Sequence, residues 1–211
     1  MRVLVAGSHG QVGRHLVRLL SEAGHEARAM IRDDSQAGEM EALGGTPVVA
    51  DLEGDPSPAA KGCDAIVFTA GGGPGSGAAK KETVDRQGAV KLIDAAGEHG
   101  VRRYVMVSAM GADDPESGSE GMRPYLRAKG QADDALRESG LDFTIVRPGR
   151  LTDDPATGRV DAAASLGRRG EITREDTARV LLATLTATNT HGKTFEVLDG
   201  DTPIDEAVNA L

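Results

Sequence analysis

Val3-Leu4-Val5-Ala6-Gly7-Ser8-His9-Gly10-Gln11-Val12-Gly13 is the stretch whose reading decides the fold. An apolar run, strand-like over Arg2–Ala6, passes into a glycine-rich turn and then into the helical pattern Val12, Leu16, Leu19 and Leu20. A strand that turns directly into a helix aims backbone N–H groups and the positive helix end at one point, which suits a pyrophosphate. Gly7 serves the tight turn, Gly10 lets the backbone touch the diphosphate without a Cβ in the way, and Gly13 allows close helix packing. Ser8, His9, Gln11 and Val12 complete the candidate cofactor loop. With 28 Gly in 211 residues, three glycines at this spacing arise by chance about 0.5 times, so position carries the motif rather than spacing.

Outward from this turn, strand and helix patterns alternate, which predicts a parallel sheet covered on both faces. Strands are expected at Glu26–Ile31, Pro47–Ala50, Ala65–Thr69, Arg103–Val107, Phe143–Val146 and Thr194–Leu198. Helices are expected at Gln11–Ala23, Ser35–Leu43 and in a long segment ending near His99, with a short one at the C-terminus. Thr173 reads as an N-cap, with Glu175 and Asp176 in the first turn of a helix running to about Thr186. The stretch Leu151–Arg169 is polar and alanine-rich and carries no clear period, and no long linker or repeat interrupts the chain. The glycine-rich segments Ala70–Ala78 and Gly111–Gly121 are the expected mobile loops.

Composition limits the partners. A chain of 211 residues and net charge −9 fits one α/β domain and lacks the positive surface that nucleic acid or anionic membrane requires. Three Phe, two Tyr and no Trp leave little for base stacking. No apolar run approaches membrane-spanning length and no leader precedes the first strand, so a cytoplasmic location is expected. The lone Cys63 has no metal-ligand neighbour at a suitable spacing and reads as a buried filler, with no metal expected.

Other strand ends supply the remaining candidates. After the Glu26–Ile31 strand, Arg32 is the cation expected beside an adenosine ribose, where it favours a 2′-phosphate and hence NADP over NAD; Arg14 is a second candidate. A solvated strand end is the alternative for Arg32, and Asp33 or Asp34 stands as a possible ribose acceptor. Asp51-Leu52 offers a carboxylate to adenine or a plain turn cap, and Ala70-Gly71 offers bare backbone to the ribose and diphosphate. The sharpest catalytic pattern is Tyr125-Leu126-Arg127-Ala128-Lys129, whose i,i+4 spacing makes phenol and ammonium neighbours on one helical face. A free phenol with a pKa of about 10 needs such a cation to act as a base. Two Tyr and six Lys give this spacing by chance about 0.06 times. Ser108, at the end of the Arg103–Val107 strand, is placed to hydrogen-bond a substrate oxygen or to cap the strand.

The glycine loop, Asp51, Ser108, Tyr125-x-x-x-Lys129 and Arg147-Pro148-Gly149 together resemble the short-chain dehydrogenase/reductase superfamily. The resemblance is to its atypical, extended-like members, the NAD-dependent epimerase/dehydratase-like NAD(P)-binding proteins. It implies a single-domain α/β fold, a Rossmann-type doubly wound parallel sheet, with a small substrate-side portion from about residue 150. It also implies that Tyr125 is acid–base, that Lys129 holds the nicotinamide ribose and lowers the phenol pKa, that Ser108 orients a substrate carbonyl, and that Pro148 borders the cofactor. Asp85 stands where the family carries an asparagine, and only 62 residues follow Gly149, too few for the substrate domain of nucleotide-sugar enzymes. The function implied is an NADP-dependent oxidoreductase or epimerase-like enzyme on a small carbonyl or hydroxyl compound, acting as a monomer or homodimer. The alternatives are a non-catalytic, NmrA-like NAD(P) sensor and a flavin- or biliverdin-type reductase that needs no tyrosine.

Overall fold

The structure, a computed structural model, describes residues 1–72 and 77–211. In chain order the elements are β1 (Arg2–Ala6), α1 (Gln11–Glu22), β2 (Glu26–Ile31), α2 (Ala37–Ala42), β3 (Thr46–Val49), α3 (Ser57–Ala60) and β4 (Ala65–Phe68). Then come α4 (Gly77–Lys80), continuing into a π-helical segment over Lys81–Gly88, α5 (Ala89–Glu98), β5 (Arg103–Val107), α6 (Arg123–Glu138) and β6 (Asp142–Pro148). The chain closes with β7 (Arg150–Thr152), β8 (Arg159–Ala163), β9 (Glu171–Thr173), α7 (Arg174–Thr186), β10 (Lys193–Asp199), β11 (Thr202–Pro203) and α8 (Ile204–Asn209).

Among the described residues nine strands form one sheet in the order β3-β2-β1-β4-β5-β6-β10-β8-β11. Pairing is parallel from β3 through β10. At its centre β1 has no solvent face, as its unbroken apolar run implies: Val3, Leu4, Val5 and Ala6 are all fully buried. Alternate residues feed two cores. Val3 and Val5 join Leu16 and Leu20 of α1 and Leu181 of α7 on one face; Leu4 and Ala6 join Phe68, Leu92 of α5 and Leu136 of α6 on the other. Burying one such leucine is worth about 1.5–3 kcal/mol, so the two-sided apolar pattern is enough to specify helices on both faces. This is the expected doubly wound, Rossmann-type single domain.

The departures lie where the sequence lacks a period. The unassigned stretch contains β7 and β8; β8 runs antiparallel to β10, as does β11 to β8, so the sheet is mostly parallel and not wholly so. In β8 only Val160 is fully buried, so its pairing comes from β10 rather than from a pattern of its own. The expected Ser35–Leu43 helix is a 3₁₀ turn, Asp34–Gln36, followed by α2. The α7 start is as read: Thr173 Oγ1 accepts from Asp176 N at 2.9 Å. Asp176 also accepts from the N–H groups of Thr157 (2.8 Å) and Gly158 (2.9 Å), which anchors the loop before β8. Cys63 is buried, its thiol facing Ala59 O at 3.6 Å. Among the described residues no helix is long and apolar enough to cross a membrane.

The strand order reverses between β1 and β4, and there the backbone is packed to contact. Gly7 has φ +89°, and a Cβ on it would lie 2.6 Å from Ala70 N; a Cβ on Gly13 would lie 2.1 Å from Gly7 O. Gly13→Ala should therefore destabilise the fold by about 1–3 kcal/mol, seen as a lower urea midpoint with an unchanged slope. Stability within about 0.5 kcal/mol of wild type would show that α1 can move away from the turn without loss.

Candidate functional site

Reversal of strand order leaves a crevice outside the carboxyl ends of β1 and β4, and the cavity there is about 500 Å³. Of the sequence-expected residues, Gly7, His9, Gly10, Arg32, Asp51, Leu52, Ala70 and Gly71 line it. Ser8 instead turns inward, its hydroxyl donating to Met30 O at 2.6 Å, and ties the loop to β2. Val12 and Gly13 face the α1 packing interface, and Gln11 is exposed on the first turn of α1. Gly10 is the N-cap of α1, with no side-chain cap and no acidic residue in the first turn. The helix end is thus open and positive toward the cavity, the condition an anion needs. A pyrophosphate fits this cradle: Gly7 and Gly10 bring bare backbone to it.

At the outer end of the cavity, Arg32 is exposed and its backbone N–H donates to Gln36 Oε1 at 3.1 Å. Asp33 is spent locally: Oδ1 accepts from Ser35 N at 2.8 Å, capping the 3₁₀ turn, and this bonding holds its carboxyl below the ordinary range. Arg14 is engaged as well, its Nη2 meeting Glu39 Oε2 at 3.1 Å and His9 Nε2 at 3.0 Å. Asp51 both lines the cavity and caps a turn, accepting from Glu53 N at 3.0 Å. Gln36, Glu53 and Lys80 complete the rim, with Lys80 paired to Glu53. The sequence reading missed these three because they come from turns with no recognisable spacing.

Beneath Ala70 and Gly71 lies a second group of side chains. Lys129 is buried, and its Nζ donates to Val107 O at 3.1 Å and Ala70 O at 3.3 Å. It faces Asp85 Oδ1 at 3.5 Å and the Tyr125 ring centroid at 5.9 Å. Asp85 sits in the π-helical segment, fully buried, and its Oδ2 accepts from Gly72 N at 2.9 Å. Of the expected loop 70–78, residues 73–76 lie outside the described residues. The segment 111–121 folds as turns, with Glu116 paired to Arg127 and, at 3.8 Å, to Arg123. Burial pushes the Tyr125 phenol above its ordinary pKa; Lys129 pulls it down, while Asp85 and Asp133 add to the rise. The net direction is upward, opposite to what the lysine alone would give.

Ser108 is buried, and its hydroxyl donates to Asp133 Oδ2 at 2.9 Å. The same oxygen accepts from Arg147 at 2.9 and 3.2 Å, and Arg147 reaches Asp113 at 3.1 Å. Burial raises the Asp133 pKa, opposed by Ser108 and Arg147. The one proton of Ser108 is thereby committed to a carboxylate, where the family resemblance implied a substrate carbonyl. Asp133 went unread in the sequence, although it continues the Tyr125, Lys129 face by one further step of four. Pro148 is buried in β6, paired with Val197 of β10, and does not line the cavity.

Similarity to known proteins agrees with this geometry. Residues 7–188 match the NAD(P)H-binding family. The chain is 46% identical over 215 residues to the "uncharacterized sugar epimerase" YhfK of Bacillus subtilis, with 100% of both chains covered. It superposes on a solved Bacillus halodurans structure of the NAD-dependent epimerase/dehydratase group with TM-score 0.98 at 46% identity, each chain covered in full. The oxidoreductase ylbE of Lactococcus lactis follows at TM-score 0.89 and 30% identity, covering 100% of this chain and 96% of that one. An open helix end over a glycine turn at the strand-order reversal and a family match across most of the length lead to one conclusion: the chain belongs to the NAD(P)H-binding family, among the oxidoreductase and epimerase-like proteins of the Rossmann fold.

Proposed function

We propose that this protein is an NADP(H)-preferring oxidoreductase or epimerase-like enzyme that acts on a small carbonyl or hydroxyl compound. The observation that carries the reading is the contact through Ala70: its residue lines the cavity, and its carbonyl accepts from Lys129, the partner of Tyr125. A cofactor held along the cavity would thus have Tyr125 and Lys129 of α6 behind its Ala70 wall. When bound, the nicotinamide supplies or removes hydride at a substrate carbon. Tyr125 moves the proton at the substrate oxygen, and Lys129 fixes the position of the phenol and of the β4 and β5 ends. Ser108 positions through Asp133 and Arg147. The segment from about residue 150 encloses the substrate side, and its shortness favours a small compound over a nucleotide sugar.

Cofactor choice is the first measurement. Arg32 is an exposed cation on the cavity wall that makes no salt bridge within 4 Å among the described residues, Glu53 being its nearby counter-charge, and a charge-assisted contact with a 2′-phosphate is worth about 1.5–3 kcal/mol, or roughly 10- to 150-fold in affinity. Calorimetric titration should show NADP(H) binding tighter than NAD(H), with the difference lost in Arg32→Ala. Equal affinities in the wild type would remove NADP preference from the proposal. Gly10→Val should abolish the cofactor-induced rise in melting temperature while changing the unliganded melting temperature far less; a normal rise would displace the pyrophosphate from this turn.

Chemistry is tested with a panel of small aldehydes, ketones and quinones, followed by oxidation of NADPH. Tyr125→Phe should lower turnover by about 10²–10⁴-fold with cofactor affinity nearly unchanged. Turnover indifferent to that change would favour direct hydride delivery to a ring substrate. Absence of turnover across the panel, with normal cofactor binding, would favour a sensor that binds the dinucleotide and reports on it.

A further inference from the structure

Asp85 is an acid at a position whose local geometry asks only for an acceptor. Its Oδ2 takes the Gly72 N–H at 2.9 Å, and a neutral amide oxygen would do the same. The charge matters only to its other neighbour, Lys129, at 3.5 Å. Both side chains are buried, 4% and 0% exposed, and two of the three ammonium N–H groups are directed at Val107 O and Ala70 O. A cation paired this closely in a low-dielectric setting acts on a third group as a dipole, whose influence falls off faster with distance than that of a bare charge. Tyr125 is that third group, with its ring centroid 5.9 Å from the ammonium.

We propose that Asp85 cancels the charge of Lys129 at Tyr125, so that the phenol keeps its proton through neutral pH and the site works as a proton donor to a substrate oxygen, in the reductive direction. The inference deepens the acid–base role of Tyr125 and rests on it. In the step, the Tyr125 O–H bond breaks as an O–H bond forms on the substrate. The electron pair stays on the phenolate, which water reprotonates, and the substrate carbon takes its hydride from a reduced nicotinamide dinucleotide. The other charges around Tyr125 are common to the wild type and an Asp85 variant, so the difference between the two reads Asp85. Lys81 of the π-helical segment lies over the ring, 5.1 Å from its centroid; Asp133 of α6 is paired with Arg147 and still adds to the rise of the phenol; Glu116 is taken by Arg127 and Arg123. Burial is the main cause that holds the phenol above its ordinary range; Lys129 pulls it down, and Asp85 opposes the lysine.

The test reads the phenol directly, on the chain without cofactor or substrate. There are two tyrosines and no tryptophan. Tyr104 is fully buried with its hydroxyl unpartnered, and burial pushes it far above the ordinary range. Near-ultraviolet tyrosinate absorbance against pH therefore reports Tyr125 as its first step, and Tyr125→Phe should erase that step. Asp85→Asn keeps the acceptor for Gly72 and removes the charge, so the midpoint should fall by about one pH unit; a fall of less than about half a unit overturns the proposal. Asp85→Asn leaves a buried cation unpaired and can prevent folding, in which case the double variant Asp85→Asn/Lys129→Met decides. With both charges gone its midpoint should stay within about half a unit of wild type, and a larger displacement either way overturns the cancellation. Because no turnover enters the measurement, failure to find a substrate would count against the enzyme reading and leave this result standing.

Discussion

The molecule depends on a backbone contact: the Gly7 turn against the start of the Ala70 segment, with Gly13 seated on the same turn. The distances leave no room for a methyl group, 2.6 Å from a Gly7 Cβ to Ala70 N and 2.1 Å from a Gly13 Cβ to Gly7 O. This contact does three things at once. It seats α1 so that its uncapped N-terminus faces the crevice, it closes the sheet where the strand order reverses, and it leaves Ala70 between the cavity and Lys129. Close-packed interiors transmit such a constraint because nothing nearby can yield cheaply.

Around that contact the chain buries charge in pairs. Lys129 with Asp85 and Arg147 with Asp133 lie at the carboxyl ends of β4, β5 and β6, each cation less than a tenth exposed. Removing one member of a buried pair typically costs about 3–5 kcal/mol, since it leaves an uncompensated charge, whereas an apolar replacement of both is often neutral. Stability alone therefore gives little reason for these pairs. A π-helical segment carrying Asp85 adds to the case, because such distortions cluster at functional sites. Ser108 shows how the pairs change chemistry: a hydroxyl that donates to Asp133 has only lone pairs left to offer elsewhere.

The parts legible in the sequence were those with a strong local period or a fixed backbone demand. β1, β2, β5 and α7 were readable to within a residue or so because their apolar runs or caps are self-sufficient. The glycine loop was readable because Gly7 and Gly13 stand where a side chain would collide with backbone. β7, β8 and the π-helical segment were not, since β8 is held by β10 and the segment around Asp85 by its neighbours. Tyr125 and Lys129 could be paired by their spacing; the direction in which their surroundings move the phenol could not, because Asp85 is 40 residues away and enters through the π-helical segment.

By itself the sequence determined the doubly wound α/β architecture, the glycine turn between β1 and α1, and the pairing of Tyr125 with Lys129 on one helical face. Each follows from short-range rules: periodicity, glycine conformation and helical i,i+4 geometry. The tertiary structure alone decided what those groups are engaged with. It showed that Asp33 caps a turn, that Arg14 belongs to Glu39, that Ser108 belongs to Asp133, and that Lys129 is paired with a carboxylate. The physical reason is that charge state and hydrogen-bond commitment depend on distances between residues far apart in the chain, and Coulomb energy in a buried site changes several-fold over a few ångströms and with local dielectric.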